Sequence, residues 1–251
     1  MRAVTSVLLC LLLLPALPAL GADPWTAKPL CRFGMPYVDP VILKNQSGIA
    51  VNILRRIFEP EGVEFRHVVM PYERAIDELE QGLIQCTFDV GNRVKKGLPG
   101  ERPLLNCDLA AARLATTPWK GVESLRGTRV AYLHGFELDD MVKVPFTPQA
   151  VYDLASAFPM LEDGFVAFIL DDVRPLSMAM RESRIPPHLF VIEPIRTLPV
   201  KLAFAPTDEG RRFRDIYDRR MRELAASGEL AALLRESGLE PERVDRLVNA
   251  K

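Results

Sequence analysis

Apolar and polar positions alternate along this chain with a spacing that switches between extended and helical. Leu30 to Tyr37 reads as a strand running into a loop, with turn chemistry at Asp39-Pro40 and from Asn45 to Gly48. Ile49, Ile53 and Ile57 then recur at i, i+4 and i+8, with Leu54 and Phe58 beside them and Arg55-Arg56 facing out. That spacing predicts a helix over 49–58. Val63 to Met70 alternates like a strand. Pro71 opens a second helix at a position where its missing N–H is no loss, and Ala75, Ile76 and Leu79 give that helix one apolar face. Gly82 ends it, and Leu83 to Val90 comes next as a buried strand that surfaces in Gly91-Asn92-Arg93. The order strand, helix, strand, helix, strand predicts a parallel sheet with crossover helices. Ligands of such sheets sit beyond the carboxyl ends of the strands, which is where Tyr37, Tyr72, Gly91, Asn92 and Arg93 fall.

A second unit comes after a loop over 94–105 that is rich in Lys, Gly and Pro. Strands are expected at Leu109 to Thr116, Arg129 to Leu133 and Val144 to Thr147, with a short helix from Trp119 to Leu125. His134-Gly135 leads into a helix starting near Phe136, and 148–161 reads as helical. Phe165 to Leu170 is a buried strand that surfaces at Asp171-Asp172. One of these aspartates can cap the next helix while the other faces a ligand, and the pattern does not say which does which. Leu189 to Ile192 and Val200 to Phe204 read as two further strands. The tail is helical: Phe213, Ile216, Tyr217, Met221 and Leu224 keep the spacing, Ser227-Gly228 caps, and 230–236 and 241–248 continue. Acidic residues interleave the arginines of 211–222, which predicts a solvated, salt-bridged face.

Composition narrows the function. The chain has 251 residues, a formal net charge of -1, 48% hydrophobic and 26% charged residues. This is globular composition without the basic footprint of a nucleic-acid-binding protein. Met1-Arg2, the apolar run Val7 to Leu20 and the small residues of Leu20-Gly21-Ala22 together predict a cleaved secretory signal peptide over 1–22. Export to an oxidising compartment permits one disulfide among Cys31, Cys86 and Cys107. The expected pair is Cys86–Cys107, tying the long loop after Arg93 back to its strand; the alternative is three buried thiols. There is no Cys-x-x-Cys, and His67, His134 and His188 lie far apart without ligand spacing, so no metal site is expected.

Five stretches, taken in order, resemble a known family. They are Gly48-Ile49-Ala50-Val51-Asn52-Ile53-Leu54; Pro71-Tyr72-Glu73-Arg74 with Leu79-Glu80-Gln81-Gly82; Ser124 to Val130 followed by Gly135; Asp163 to Phe168 followed by Asp172; and Gly228-Glu229-Leu230. The chain resembles the bacterial periplasmic solute-binding proteins of the polar amino-acid type, family 3, with the type II periplasmic-binding fold. The resemblance implies an α/β protein of two lobes, each a mostly parallel sheet flanked by helices, joined by a two-crossover hinge. Residues 23–112 plus 201–251 would form one lobe and 113–200 the other. It implies a cleft in which Arg93 holds a carboxylate, a guanidinium fork being the bidentate match for that group. Asp172, or Asp171 beside it, would hold an amino group, with Tyr37 and Tyr72 packing on the ligand. Gly91, Asn92, His134 and Phe136 complete the expected site. The usual hydroxyl residue beside the arginine is absent from Gly91-Asn92-Arg93.

The implied function is periplasmic capture of a small polar solute, an amino acid or related small carboxylate, for an ABC-type permease in the inner membrane. The chain is expected to act as a monomer without cofactor. Two alternatives go with the same fold: a sensor or accessory to a periplasmic redox enzyme, and a dehydratase acting on a cyclohexadienyl acid.

Overall fold

The computed structural model describes residues 28–136 and 138–250. The expected signal peptide lies outside them. No helix among the described residues is long and apolar enough to cross a membrane.

The chain opens as expected. Strand β1 (Leu30–Met35), helix α1 (Ile49–Phe58), strand β2 (Glu64–Val69), helix α2 (Tyr72–Glu80) and strand β3 (Cys86–Val90) succeed one another in order. Helix α1 buries Ile49, Ile53 and Ile57 with Leu54 and Phe58, the stripe its spacing sets. Pro71 is the N-cap of α2. β1 pairs in parallel with β2 on one side and β3 on the other.

Beyond β3 come a two-residue strand β4 (Leu98–Pro99) and strand β5 (Leu105–Leu114). Next are strand β6 (Arg129–Leu133), helix α3 (Asp139–Val142), strand β7 (Thr147–Val151) and helix α4 (Ala157–Glu162). Strand β8 (Phe168–Asp172), helix α5 (Val173–Glu182) and strand β9 (Phe190–Phe204) lead to the terminal helices α6 (Asp208–Ala226), α7 (Glu229–Glu236) and α8 (Pro241–Val248). One sheet holds the nine strands of the described residues in the order β2-β1-β3-β9-β5-β8-β6-β7, with β4 on β9. β6 is parallel to both β7 and β8, so each end of the sheet is a parallel unit. β5 and β9 are antiparallel to each other and link the two units.

Three expectations need correction. A strand was expected at 144–147 and a helix over 148–161; the strand is Thr147–Val151 instead, and the helix starts only at Ala157. The two strands expected at 189–192 and 200–204 are one strand of 15 residues, β9. Pro194 is tolerated because the β5/β9 register shifts between Leu109 and Ala110, which puts it at an irregularity of the ladder; Pro199 comes one residue before the pairing with β3 begins at Val200. The disulfide Cys86–Cys107 does not form: Cys31, Cys86 and Cys107 are all free. β9 lies between β3 and β5, and Cys86 pairs with its Phe204 while Cys107 pairs with its Leu198, so two strand spacings and an offset along β9 on the order of 20 Å separate these cysteines, far beyond disulfide reach. Cys86 instead faces Cys31, with the Sγ atoms 3.7 Å apart.

Cores lie on both units. The larger cluster packs α1, α6, α7 and α8 against β1, β3 and the C-terminal part of β9, with Phe58, Phe204, Phe213 and Tyr217 among its largest members. A second gathers Phe158, Leu161, Ile169, Leu176 and Phe190 around β8. The arginine-rich α6 is salt-bridged: Arg219 Nη2 reaches Glu61 at 2.6 Å, and Arg222 pairs with Glu101.

Candidate functional site

The carboxyl ends of β1, β6, β7 and β8 converge on a cavity of about 360 Å³. One wall is the loop after β1, with Tyr37, Val38 and Asp39. The facing wall is Leu133 and Phe136 after β6, then Tyr152, Asp153 and Leu154 after β7. Asp171 at the end of β8 and Pro175, Met178, Ala179 and Glu182 of α5 close it. Its position obeys the rule for parallel sheets, in which loops at the carboxyl edge form the binding crevice. The volume is that of a small-molecule site.

Asp171 and Asp172 separate cleanly. Asp172 is the N-cap of α5, its carboxylate accepting from Arg174 N at 2.9 Å. Its Oδ2 also accepts from Asp108 N at 2.7 Å and from Arg243 Nη2 of α8 at 3.0 Å. Those commitments leave Asp171 as the aspartate of the cavity. Asp171 Oδ1 accepts from Asp172 N at 2.7 Å. Burial, and after it the neighbouring Asp172 charge, pushes the Asp171 carboxyl up to about 7 against the pull of that hydrogen bond.

Arg93 sits elsewhere. Gly91 (φ 71°) and Asn92 (φ 61°) are both left-handed and turn the chain sharply after β3. Glu80 pins the loop beyond Arg93, accepting from Lys95 N at 2.7 Å and Lys96 N at 3.1 Å. Arg93 Nη2 pairs with Glu73 Oε1 at 2.6 Å, and its Nη1 donates to Gly135 O at 3.5 Å. The guanidinium lies 5.5 Å from the centre of the Tyr72 ring. Tyr72 is fully buried, donating to Phe88 O at 3.1 Å and accepting from Val90 N at 3.4 Å. Burial pushes its phenol up to about 12. Phe136 stacks on Tyr72 with centroids 5.5 Å apart, so it touches Tyr72 and the cavity at once.

Tyr37, Phe136 and Asp171 therefore come together around one cavity. Tyr72, Arg93, Gly91, Asn92, Asp172 and His134 are outside its lining. His134 is exposed and stacks on Tyr152, with centroids 4.9 Å apart. The sequence reading missed Asp39, Tyr152, Asp153 and Glu182. Tyr152 and Asp153 were hidden because 148–161 reads as one helix, which places them mid-helix. The signal that could have exposed them is Tyr152-Asp153 followed by a helix start, the pattern of a strand-to-helix loop. Asp153 accepts from Ser156 N at 3.1 Å just ahead of α4.

No family model and no curated protein matches the sequence. Solved structures do match. EhuB in complex with hydroxyectoine superposes with a TM-score of 0.70 at 19% identity, over 88% of this chain and 95% of that one. The substrate binding protein of an amino acid ABC transporter gives 0.66 at 14% identity, over 82% and 98%. The ancestral amino-acid-binding protein AncCDT-1, a precursor of cyclohexadienyl dehydratase, gives 0.66 at 16%, over 82% and 94%. The likeness at such identities is one of fold: a two-lobed α/β protein of the type II periplasmic-binding kind. The fold expected from the five motifs is the fold observed.

Proposed function

We propose that the protein is a non-catalytic binder that captures a small polar solute in the cavity between the loop after β1 and the loops after β6 and β7. One observation carries the reading: a cavity of about 360 Å³ at the carboxyl edge, walled from both parallel units, with Asp171 facing it. In this reading 1–22 directs export and is removed, the mature chain works as a monomer in the periplasm, and the loaded form docks on an inner-membrane permease. The likeness to the substrate binding protein of an amino acid transporter supports that role. The mature chain should give a saturable, one-to-one calorimetric signal with a small amine, amino acid or carboxylate, and a matching upward shift of its melting temperature. No signal across all three solute classes would remove this reading.

The likeness to AncCDT-1 favours one rival, catalysis on a cyclohexadienyl acid. An Asp171 carboxyl near pH 7 suits proton transfer. Such a substrate is an anion, however, and the described lining residues include no Lys, Arg or His. Turnover of a cyclohexadienyl acid by the purified protein would reverse the preference.

A further inference from the structure

Given the reading of the cavity as a solute site, on which this step rests, we infer that the solute is a small organic cation, an amine or quaternary ammonium, held without a carboxylate anchor. Among the described residues, the charged side chains that line the cavity are all acidic. Asp171 lies deep, and Asp39, Asp153 and Glu182 are exposed at the rim. Among the described residues neither Asp39 nor Glu182 takes part in an ion pair, so their field is not cancelled locally. A concave site lined by one sign of charge concentrates the opposite sign.

The aromatic lining points the same way. Tyr37 is 38% exposed and Tyr152 85% exposed, both costly placements for large rings unless something covers them. With Phe136 they offer three ring faces or edges around the acidic floor. Cations bind ring faces through the quadrupole, and ammonium groups are held by aromatic cages on this principle. The one guanidinium expected to hold a carboxylate, Arg93, is paired with Glu73 and turned to Gly135 O, outside the lining. A metal ion fits less well: no group of three or more His, Cys, Asp or Glu among the described residues is close enough to ligate one. The carboxylates are spread around a volume, which suits an organic cation.

Proton linkage gives the inference a signature. A cation needs Asp171 ionised, and burial holds that carboxyl near 7 in the empty cavity. Affinity should then be full above pH 7 and fall about tenfold per unit below it. The other charged groups are Asp39, Asp153 and Glu182 at the rim, Asp108 on β5, Asp172 with Arg243 beside it, and His134 beneath Tyr152.

The test is calorimetry on the mature chain at pH 8 and low salt with four probes: choline, 1,4-diaminobutane, L-glutamine and succinate. Choline or 1,4-diaminobutane should bind best. Asp171→Asn should cost about thirtyfold in affinity, the worth of a charged contact, with the melting temperature kept or raised. Tyr152→Ala, at an exposed position that folding does not need, should cost two- to fivefold. Tighter binding of L-glutamine or succinate than of either cation would overturn the cation assignment while the solute-site reading stands. Cation binding indifferent to both substitutions would also overturn it, as adsorption elsewhere on an acidic surface. Silence from all four probes would sink the assignment and the solute-site reading together.

Discussion

Asp171 and Asp172 are adjacent and chemically identical, yet their surroundings ask opposite things of them. Asp172 is stabilised by a helix N-terminus, a backbone N–H and Arg243. Asp171 has one backbone N–H against burial and a like charge. A carboxyl whose folded pKa is raised from 3.8 to about 7 works against the fold once it ionises. The penalty is absent below pH 4, grows between 4 and 7, and is constant above. At about 1.4 kcal/mol per unit its ceiling is on the order of 4 kcal/mol. Asp171→Asn keeps the acceptor for Asp172 N and removes the charge. It should therefore raise the melting temperature by several degrees at pH 8 and by little at pH 4, read by calorimetric melts at both values. Equal shifts at the two pH values would show that ionisation is not the cause. Under the proposed solute-site reading, such a destabilising carboxylate fits the common trade between function and stability. The cysteines supply a second residue-scale expectation. Burial pushes the Cys31 and Cys107 thiols well above the ordinary range, and Cys31 and Cys86 are fully buried. Iodoacetamide at pH 8 should leave Cys31 and Cys86 unmodified in the native protein and alkylate both after denaturation without reductant. A missing pair of modifications after denaturation would reveal an oxidised Cys31–Cys86 bond.

At the scale of elements, α8 reaches across to both β5 and β8 through Arg243. Arg243 Nε pairs with Asp108 Oδ2 at 3.0 Å, and its Nη2 pairs with Asp172 Oδ2 at 3.0 Å and donates to Asn106 O at 3.1 Å. All three charged groups are mostly buried. Arg246 also reaches Asp108, at 3.0 Å, so Asp172 is the partner with no substitute. Arg243→Ala should cost roughly 2–4 kcal/mol in urea unfolding, much of it from stranding that carboxylate. Adding Asp172→Asn should recover part of the loss, because asparagine still caps α5. A double variant as unstable as the sum of the singles would deny the coupling. Elements with one strong period were legible in the sequence: α1 and α2 show their stripes, and α6 shows both its stripe and its arginines. β9 was not, because Pro194 and Pro199 are strand-breaking signals locally. Only long-range pairing makes them acceptable: Pro194 sits at the irregularity of the β5 ladder, and Pro199 comes one residue before the pairing with β3 begins. β7 failed for the opposite reason. Four of its five residues are at least partly exposed, so no alternation marked it.

The whole molecule holds its two parallel units together at two kinds of place. β5 and β9 join them covalently and by a long antiparallel ladder with one irregularity. Phe136 and Gly135 join them again across the cleft, on Tyr72 and Arg93. The sequence could nominate Arg93 and Tyr72, since each lies just past a strand or opens a helix at the right edge. It could not show that they meet the other unit, because that contact depends on how the units face each other. In the second wall Phe136 was visible, as were Tyr37 and the Asp171-Asp172 pair elsewhere, while Tyr152 and Asp153 stayed hidden because 148–161 reads as one helix. Direct contacts across the cleft bias the chain toward a closed form, and a solute binding between the units would add to that bias. An aromatic pair is worth about 0.5–1.5 kcal/mol beyond its buried area, or roughly two- to tenfold in an open–closed equilibrium. Phe136→Ala should therefore enlarge the radius of gyration of the free protein in small-angle scattering, and saturating solute should shrink it again. Because Phe136 also lines the cavity, scattering of the free protein isolates the closure effect from lost ligand contact. Arg93→Ala separates the two further, since Arg93 donates to Gly135 O and is not among the described residues that line the cavity. It should raise the solute off-rate several-fold in stopped-flow measurements with little change in on-rate. A hundredfold loss of affinity would instead return Arg93 to the ligand, and with it a carboxylate.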